Sequence, residues 1–385
     1  MLDYDAIVVG GGVMGCASAY HLAKRGWRVL LLEQFALGHD RGSSHGHSRI
    51  IRLAYDAPDY VRLAQAAFPL WRALEQESGA TLMLQTGGLD FALRGTPSFE
   101  ATRATLTSMY IEHEQLDSAE ISRRFPQFQP PADIVGVYQH DSGILDANRC
   151  VATLAAEARR NGAELRDNRP ARQISVAGDG VEVRTDAATY RADRLIVTAG
   201  AWAGPLLRQI GLDLPLRVTR EQVAFFAPKS ADGGAGGSDQ FAPGRFPIFI
   251  HHTDNTPSPY GFPIFGLPGV KVAFHLSGPT VDPADDDRAA DPAITEALHA
   301  YLSRWIPGAA GDLLFSQTCR YTNTPDEHFI VDRHPEYPQI VIGSPCSGHG
   351  FKFGVLIGAI LADLAERGAT EHPIGMFGLG RFGQA

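Results

Sequence analysis

A polar segment near the start of the chain carries many side chains that could take part in chemistry. Residues 35–52 combine Arg41, Arg49 and Arg52 with glycines, serines and histidines, and the segment is too polar to belong to a core. Backbone N–H groups, hydroxyls and guanidinium groups together favour a loop that holds phosphates and a further anion. A solvated loop would explain any one of these residues. The three-residue spacing of Arg49 and Arg52, however, predicts that both lie near one face of a helical turn.

A second candidate is the segment 269–275, in which apolar side chains alternate with others. Alternation places Lys271 and His275 on one face of a strand, and Val272 and Phe274 on the other. A polar face of this kind is either exposed to solvent or part of the lining of a polar site. The pattern by itself favours the exposed face.

Two further positions stand out in the last part of the chain. Cys319 has no cysteine close to it in sequence, and a solitary buried cysteine is usually a small hydrophobic residue. Lys352 lies in a glycine-rich stretch that predicts the start of a helix running to Arg367 and ending at Gly368. A cation at the start of a helix is unfavourable by itself, so Lys352 indicates an anionic partner.

The element that must position these groups lies at the amino terminus. Apolar residues ending at Val9 predict a strand, which leads into Gly10, Gly12 and Gly15 and then into an apolar helical pattern. A second apolar strand follows and ends at Glu33, 18 residues after Gly15. The predicted order is therefore strand, glycine turn, helix, strand and acid.

Each residue of this glycine motif has a mechanical reason. Gly10 permits a tight turn, Gly12 lets a pyrophosphate approach the backbone, and Gly15 lets the helix pack closely against the strand. The helix N-terminus offers unpaired N–H groups and the positive end of its dipole. Glu33 stands where a carboxylate accepts hydrogen bonds from an adenosine ribose. The sequence therefore predicts a dinucleotide site, and the alternative is an ordinary tight turn between a strand and a helix.

Composition sets the broad class of the protein. With 385 residues, 44% of them hydrophobic, the chain is expected to form two domains. A net charge of −9 argues against a nucleic acid or an anionic membrane as partner. No apolar run is long enough to span a bilayer, and no secretion signal is visible. Four widely spaced cysteines, without metal-ligand spacing, indicate reduced thiols in the cytoplasm and no metal site.

The remaining sequence predicts several individual elements. An amphipathic helix is expected at 57–80, and a further helix at 147–160 with Asp146 as its N-cap. A buried strand ends near Gly200, where the backbone either approaches a ligand closely or simply turns the chain. The segment 230–244, rich in Gly, Ser, Ala and Pro, is expected to be mobile.

At this point the motifs resemble a known family. The segment GSSHGHSRIIR at residues 42–52, following the glycine motif at the chain start, is similar to that of the monomeric sarcosine oxidase and N-methyltryptophan oxidase family of flavoenzymes. The sequence departs from the family pattern at Ser44, His47 and Ser48. Matching motifs are spread from residue 7 to residue 353, so the resemblance covers essentially the whole chain.

The resemblance implies a fold of the α/β class. A Rossmann-like FAD-binding domain would comprise residues 1–85, 146–217 and 320–385. It would be interrupted by an α+β substrate domain with a large, mostly antiparallel sheet, formed by residues 86–145 and 218–319.

The resemblance also implies FAD as the cofactor. The family has a cysteine two residues before a tyrosine that bonds to the flavin 8α-methyl group; Cys319 matches it, and Cys346 is the alternative. The residues expected to bind the cofactor are Gly10, Gly12, Val13, Met14, Gly15, Glu33, Gln34, Arg41, Ser43, Ser44, Ala171, Gly200, Trp202, Cys319, Gly348, Gly350, Phe351 and Lys352.

The family implies a basic substrate site. Arg52 and Lys352 would clamp a substrate carboxylate, Arg52 being able to do so with two parallel hydrogen bonds. Tyr260 and Tyr321 would line the amine pocket with His275, whose imidazole would favour the neutral amine.

The other implied roles concern catalysis. Lys271 would stabilise the anion formed when O₂ takes its first electron. His45 and Arg49 would lie near the other face of the flavin and tune its potential or the pKa of the substrate.

The implied reaction is oxidation of a secondary amine, sarcosine or another N-methyl amino acid, to an imine that water hydrolyses to an amine and an aldehyde. O₂ would be reduced to H₂O₂, and the enzyme would act as a monomer on a small-molecule amine. Three alternatives remain. They are a related oxidase for N-methyltryptophan, pipecolate, a fructosyl amino acid or glycine; a flavin dehydrogenase that passes electrons to a protein partner; and a nucleotide-binding regulatory protein without turnover.

Overall fold

The computed structural model describes residues 2–229, 237–254, 256–344 and 347–383. The described residues form three β-sheets, with helices packed between and around them. The α-helices are α1 (Val13–Lys24), α2 (Pro58–Ser78), α3 (Pro97–Ser108), α4 (Ser118–Arg124), α5 (Ala147–Arg160), α6 (Ala203–Arg208), α7 (Pro292–Trp305) and α8 (Gly354–Arg367).

The first sheet is built on the amino-terminal strand and is mainly parallel. Its path runs β10-β11-β12-β1-β2-β9, with β19 beside β12 and β18 beside β19. The central pairs are parallel, and antiparallel pairs occur towards two of its margins. Its strands are β1 (Leu2–Val9), β2 (Val29–Leu32), β9 (Glu164–Arg166), β10 (Gln173–Ala177), β11 (Gly180–Arg184), β12 (Thr189–Val197), β18 (Val331–Arg333) and β19 (Ile340–Gly343).

The second sheet is large and almost wholly antiparallel. Its order is β17-β13-β16-β15-β14-β5-β7-β6, and only the pair β14–β5 is parallel among its described strands. Its strands are β5 (Gly88–Leu93), β6 (Glu114–Asp117), β7 (Ile134–Gln139), β13 (Arg217–Phe226), β14 (Ile248–His251), β15 (Pro259–Phe262), β16 (Val270–Phe274) and β17 (Leu313–Asn323).

A small third sheet corrects one expectation. It has three strands, β3 (Arg49–Ile51), β8 (Gly143–Leu145) and β4 (Met83–Gln85), with β8 in the centre. The prediction of a helical turn around Arg49 and Arg52 is therefore wrong. Antiparallel pairing with β8 outweighs the local helical spacing of the two arginines.

Helices α1 and α8 pack closely and join the two ends of the chain. A Cβ atom added at Gly358 would lie 2.3 Å from Ala17 Cβ, and one at Gly354 would lie 2.5 Å from a methyl group of Val13. Small residues at the crossing let the helix backbones approach each other. The glycine turn before α1 and the glycine-rich segment before α8 are thereby held on the same side of the molecule.

The observed architecture confirms the predicted fold class, a Rossmann-like α/β unit combined with a large, mostly antiparallel sheet. The division of the chain into two discontinuous domains stays a prediction, and β17 crosses the boundary drawn between residues 319 and 320. Of the segment 230–244 expected to be mobile, residues 230–236 lie outside the described residues. Within the described chain, no helix is both long enough and apolar enough to cross a membrane.

Candidate cofactor and substrate site

The turn between β1 and α1 has the geometry that its glycines allow. Gly10 has φ +106°, and a Cβ atom there would lie 2.4 Å from the carbonyl oxygen of Thr198. A Cβ atom at Gly15 would lie 1.8 Å from the carbonyl oxygen of Gly10. Only glycine fits at these two positions, because any side chain would collide with backbone. The role predicted for Gly15, close contact between helix and strand, agrees with this geometry.

Glu33 lies at the end of β2 and is buried. Its carboxylate accepts hydrogen bonds from the backbone N–H of Gly11, at 2.7 Å, and of Phe35, at 2.9 Å. These two bonds fix the carboxylate beside the glycine turn, where it lines a cavity.

This first cavity, of about 660 Å³, extends along the glycine turn. Arg41 does not line it: its guanidinium group lies 3.5 Å from Asp286 and over the ring of Phe35. Gly15 lies behind the turn rather than at the surface of the cavity. The predicted cofactor residues that do line it are Gly10, Gly12, Val13, Met14, Glu33, Gln34, Ser43, Ser44, Ala171, Gly200 and Trp202.

A second cavity, of about 270 Å³, adjoins the first, and Val13, Ser43, Ser44 and His45 line both. It lies between the loop before β3, the second sheet and the segment before α8. The predicted site residues along it are Val13, Ser43, Ser44, His45, Arg49, Arg52, Tyr260, Lys271, His275, Cys319, Tyr321, Gly348, Gly350, Phe351 and Lys352. The fold thus brings together residues that are far apart in the sequence.

Lys271 projects from β16 into this second cavity, and its residue is 5% exposed. Its ammonium group donates to the carbonyl oxygen of Ser48, at 3.0 Å, and to the Ser48 hydroxyl, at 3.1 Å, and it lies 4.6 Å from the ring centre of Phe262. Burial, reinforced by the positive charge of Arg49, holds the pKa of Lys271 well below its usual value. The interpretation of its strand face as solvent-exposed is therefore wrong.

Two histidines of the cavity are kept neutral by their surroundings. Burial lowers the pKa of His275 to about 4, with Lys352 and Arg52 adding to the effect. Burial likewise lowers the pKa of His45 to about 4, and Arg49 lowers it further. Near pH 7 both imidazoles are therefore uncharged and can accept a hydrogen bond.

Arg49 braces the loop that separates the two cavities. Its guanidinium group donates to the carbonyl oxygens of Ser43, His45 and Ser48 at 2.9, 2.7 and 2.9 Å. The same group lies over the ring of Phe351, at 5.7 Å. Arg49 therefore stabilises this loop and also places a positive charge beside the second cavity.

Arg52 and Lys352 lie near each other, around the ring of Tyr55. The Lys352 ammonium group donates to the Tyr55 hydroxyl, at 2.7 Å, and to the His349 carbonyl oxygen, at 2.9 Å. Burial and the nearby Arg52 charge hold the pKa of Lys352 well below its usual range. The Arg52 guanidinium group donates to Asp90, at 2.7 Å, and lies 4.8 Å from the ring centre of Tyr55.

Cys319 lies on β17 with its side chain in the second cavity. Burial raises the pKa of its thiol, while the charge of Arg49 opposes that rise. Burial also raises the pKa of Tyr260 to about 12, so its hydroxyl stays protonated. The alternative cysteine, Cys346, lies outside the described residues.

Sequence reasoning missed several residues of the second cavity and its surroundings. Asp90 is the clearest case, because a single carboxylate in the apolar strand β5 must find a partner when buried. The sequence could therefore have predicted that Asp90 is paired with another side chain. The contacts of Ser48, Tyr55 and His252 had no comparable signal, since they depend on how distant segments meet.

These features fit a dinucleotide whose far end enters the second cavity. The Val13 backbone N–H donates to the Ser44 hydroxyl, at 3.1 Å, so the loop 42–52 lies against the start of α1. The buried Nε2 atom of His45 has no hydrogen-bond partner among the described residues, and it lies where the cavities join. No group of three His, Cys, Asp or Glu side chains in the described chain is arranged to hold a metal ion.

A βαβ cleft with a glycine turn, opening into a buried and cation-rich cavity, defines the class of a dinucleotide-dependent enzyme. The family model described as FAD dependent oxidoreductase matches residues 5–364. The chain therefore belongs to this family of FAD-dependent oxidoreductases, and the prediction of FAD as the cofactor is confirmed.

The chain is also similar to named relatives over nearly its full length. The chain is 39% identical to the monomeric sarcosine oxidase of Streptomyces avermitilis, over 97% of this chain and 96% of that protein. It is 37% identical to the peroxisomal sarcosine oxidase of Homo sapiens, over 98% and 96% of the two chains. It is 29% identical to the N-methyl-L-tryptophan oxidase of Citrobacter koseri over the whole of both chains. The family resemblance inferred from the motifs is thus confirmed.

Solved structures agree with this placement. NikD, an amino acid oxidase essential for nikkomycin biosynthesis, superimposes with a TM-score of 0.84 at 29% identity, covering 98% of each chain. Glycine oxidase from Geobacillus kaustophilus gives a TM-score of 0.83 at 20% identity, covering 98% of this chain and 99% of its own, and so shows the fold alone.

Proposed function

We propose that this protein oxidises the secondary amine of an N-methyl amino acid, sarcosine or a close analogue. In the overall reaction the amine, O₂ and water give a primary amine, an aldehyde and H₂O₂. The observation that carries the proposal is the second cavity, where Arg49, Arg52, Lys271 and Lys352 surround a small volume beside the nucleotide cleft. The names of the relatives at 37–39% identity support this substrate class.

In this proposal FAD, when bound, accepts two electrons and a hydrogen from the carbon next to the amine nitrogen. Glu33, with the glycine turn and the start of α1, would hold its nucleotide half. The second cavity would take its ring system, where Gly348, Gly350 and Phe351 also contribute.

Arg52 and Lys352 would bind the substrate carboxylate. Both line the second cavity, and the Tyr55 ring lies within 4.8 Å of one cation and 5.2 Å of the other. An anion would favour the charged form of Lys352, whose pKa burial lowers.

His275, Tyr260 and Tyr321 would surround the amine. Because burial lowers the pKa of His275 to about 4, its imidazole is neutral when the substrate arrives. A neutral imidazole can accept a hydrogen bond from the substrate amine, and the nearby charges of Lys352 and Arg52 disfavour a further positive charge, so the site favours the free amine, which is the form that is oxidised.

Lys271 would act on O₂. Its ammonium group is buried, held by Ser48 and close to the Phe262 ring. A positive charge in such a site stabilises an anion strongly, because the effective dielectric constant is low.

Cys319 would bind the flavin covalently. The thiolate is the reactive form, and Arg49 opposes the effect of burial on its pKa. Action as a monomer, and a cytoplasmic location, belong to the proposal too. The word "monomeric" in relatives' names supports the first, and the free thiols of Cys16, Cys150 and Cys319 support the second.

The deciding experiment is an activity screen of the purified, yellow protein. Oxygen uptake and H₂O₂ formation should be measured with sarcosine, N-methyl-L-alanine, N-methyl-L-tryptophan, pipecolate, a fructosyl amino acid and glycine. We expect oxidation of an N-methyl amino acid with H₂O₂ formed. Flavin reduction without oxygen uptake would instead favour a dehydrogenase, and no flavin reduction by any of these amines would contradict the proposal.

A further inference from the structure

We infer that Asp90 is a positioning residue of the substrate site, which holds Arg52 in the orientation that binds a carboxylate. The inference rests on the proposed function and extends it to a residue outside the motifs of the glycine turn and the loop 42–52. Asp90 lies on β5, an interior strand of the second sheet, and its residue is 1% exposed.

A single oxygen of Asp90 joins two side chains of the cavity wall. Its Oδ1 atom accepts hydrogen bonds from the Arg52 guanidinium group, at 2.7 Å, and from His252 Nε2, at 2.8 Å. Arg52 and His252 both line the second cavity. Asp90 therefore lies behind the wall and ties together two groups that face the substrate.

The bonds of Arg52 show which part of its side chain remains for a ligand. Within the described chain its hydrogen bonds, to Asp90 and to the Ala54 carbonyl oxygen, are both donated by Nη1. Since a guanidinium group has five N–H donors on three nitrogens, the donors of Nε and Nη2 remain for a substrate carboxylate. The Tyr55 ring, 4.8 Å from the centre of the guanidinium group, restricts its plane further.

Burial makes this arrangement rigid. A carboxylate that is almost completely buried is stable only when it is paired and hydrogen-bonded, so Asp90 requires both of its partners. Removing Asp90 would release Arg52 to other rotamers and would remove the only carboxylate that bonds to it within the described chain. We therefore expect Asp90 to act on recognition of the carboxylate more than on the chemistry of the amine.

The test compares two substrates that differ in one group, sarcosine and its uncharged carboxamide. The readout is the ratio of their kcat/KM values, measured per bound flavin. In Asp90→Ala we expect the kcat/KM for sarcosine to fall by about tenfold or more, which corresponds to about 1.4 kcal/mol. The kcat/KM for the carboxamide should change by less than about twofold. Asp90→Asn, which keeps an acceptor oxygen, should shift the ratio in the same direction by a smaller factor.

A double-mutant cycle shows whether Asp90 acts through Arg52. In an Arg52→Met background, substituting Asp90 should leave the ratio unchanged, because the group that it positions is already gone. If the Asp90→Ala variant does not fold, the same substrate ratio is measured in Asp90→Asn and in its double-mutant cycle with Arg52→Met. A ratio that is unchanged or raised in the Asp90 variants, or equal losses for both substrates, would overturn the inference.

A matched control separates this effect from general loss of an ion pair. Asp363 on α8 pairs at 2.8 Å with Arg25, the residue that follows α1, away from the cavity. Asp363→Ala should lower thermal stability without changing the substrate ratio. If the wild-type enzyme oxidises neither substrate, the proposed function fails rather than the role of Asp90.

Discussion

Lys271 is a buried cation with an unusual set of neighbours. Its ammonium group bonds only to Ser48 in the described structure and lies 6.0 and 4.6 Å from the ring centres of Phe225 and Phe262. Removing an ammonium group from water is costly, and no carboxylate in the described structure bonds to it to offset that cost. A lysine kept in such surroundings is better suited to meeting a transient anion than to stabilising the fold.

The first prediction concerns this charge. In Lys271→Met the side chain keeps much of its length but cannot carry a charge. We expect reoxidation of the reduced flavin by O₂ to slow by about a hundredfold or more, whereas flavin reduction by the substrate changes much less. Stopped-flow absorbance measures the two half-reactions separately. Equal slowing of both would remove the assigned role, and Lys271→Arg, which keeps a charge, serves as the comparison.

A second prediction at this scale concerns Cys319. In Cys319→Ala the flavin should be released into the supernatant when the protein is precipitated with acid, whereas the wild-type pellet stays yellow. Cys150→Ala is the matched control, since this thiol is also buried but lies on α5 away from the second cavity. Flavin retained in the Cys319→Ala pellet would contradict the assignment and point to Cys346.

The roles of some single residues can be predicted from the sequence more readily than those of others. The glycines at 10 and 15 are tied to one local geometry, so their position could be predicted directly. Lys271 was ambiguous, because alternation separates the two faces of a strand but does not tell which face other segments cover. Its burial depends on the loop around Ser48, which is 223 residues away in sequence.

At the scale of elements, local signals predicted boundaries well where a cap is present. Helix α5 begins and ends at the expected residues, and the Asp146 side chain accepts a hydrogen bond from the Arg149 backbone N–H. Helix α8 ends at Gly368, which has φ +73°. The short strand β3 was missed, because a three-residue strand is stabilised by its neighbour rather than by its own sequence.

The contact between α1 and α8 gives a prediction at this scale. Replacing Gly358 by Ala would place a Cβ atom 2.3 Å from Ala17 Cβ and 2.5 Å from its backbone carbon. The helices must separate, so we expect a loss of about 1–3 kcal/mol in the free energy of unfolding and weaker retention of FAD. Urea unfolding and flavin content measure the two effects.

Gly375→Ala is the control for this prediction. A Cβ atom at Gly375 would meet no heavy atom within 4 Å. The free energy of unfolding of the Gly375→Ala variant should stay within about 0.5 kcal/mol of the wild-type value. If Gly358→Ala is equally well tolerated, close packing of the two helices is not required for the site.

The whole molecule is acidic, with a net charge of −9, yet its buried cavity is lined by basic side chains. Burial also keeps His21, His45, His251 and His275 neutral, each with a pKa lowered to about 4. In the unfolded chain the pKa of each would be near 6.5. Between these values the unfolded state binds more protons than the folded state, so acid destabilises the fold.

We therefore predict that the free energy of unfolding is steady above about pH 6.5 and falls as the pH is lowered towards about 4. Urea unfolding at half-unit pH steps measures this dependence. Replacing His21 by Gln should reduce the slope of the free energy of unfolding against pH by about the contribution of one proton. No loss of stability between pH 6.5 and 4.5 would contradict the prediction, because carboxylates lose most of their charge below that interval.

Among the described residues, the two cavities share a short stretch of wall, formed by Val13 and residues 43–45. The nucleotide side is framed by the first sheet, whereas the substrate side is framed largely by strands of the second. Strand positions such as Val223, Phe225 and Phe262 can therefore be diversified in a mutant library while the residues that secure the nucleotide are left intact. Such modularity makes this scaffold a practical starting point for changing the range of amines that it accepts.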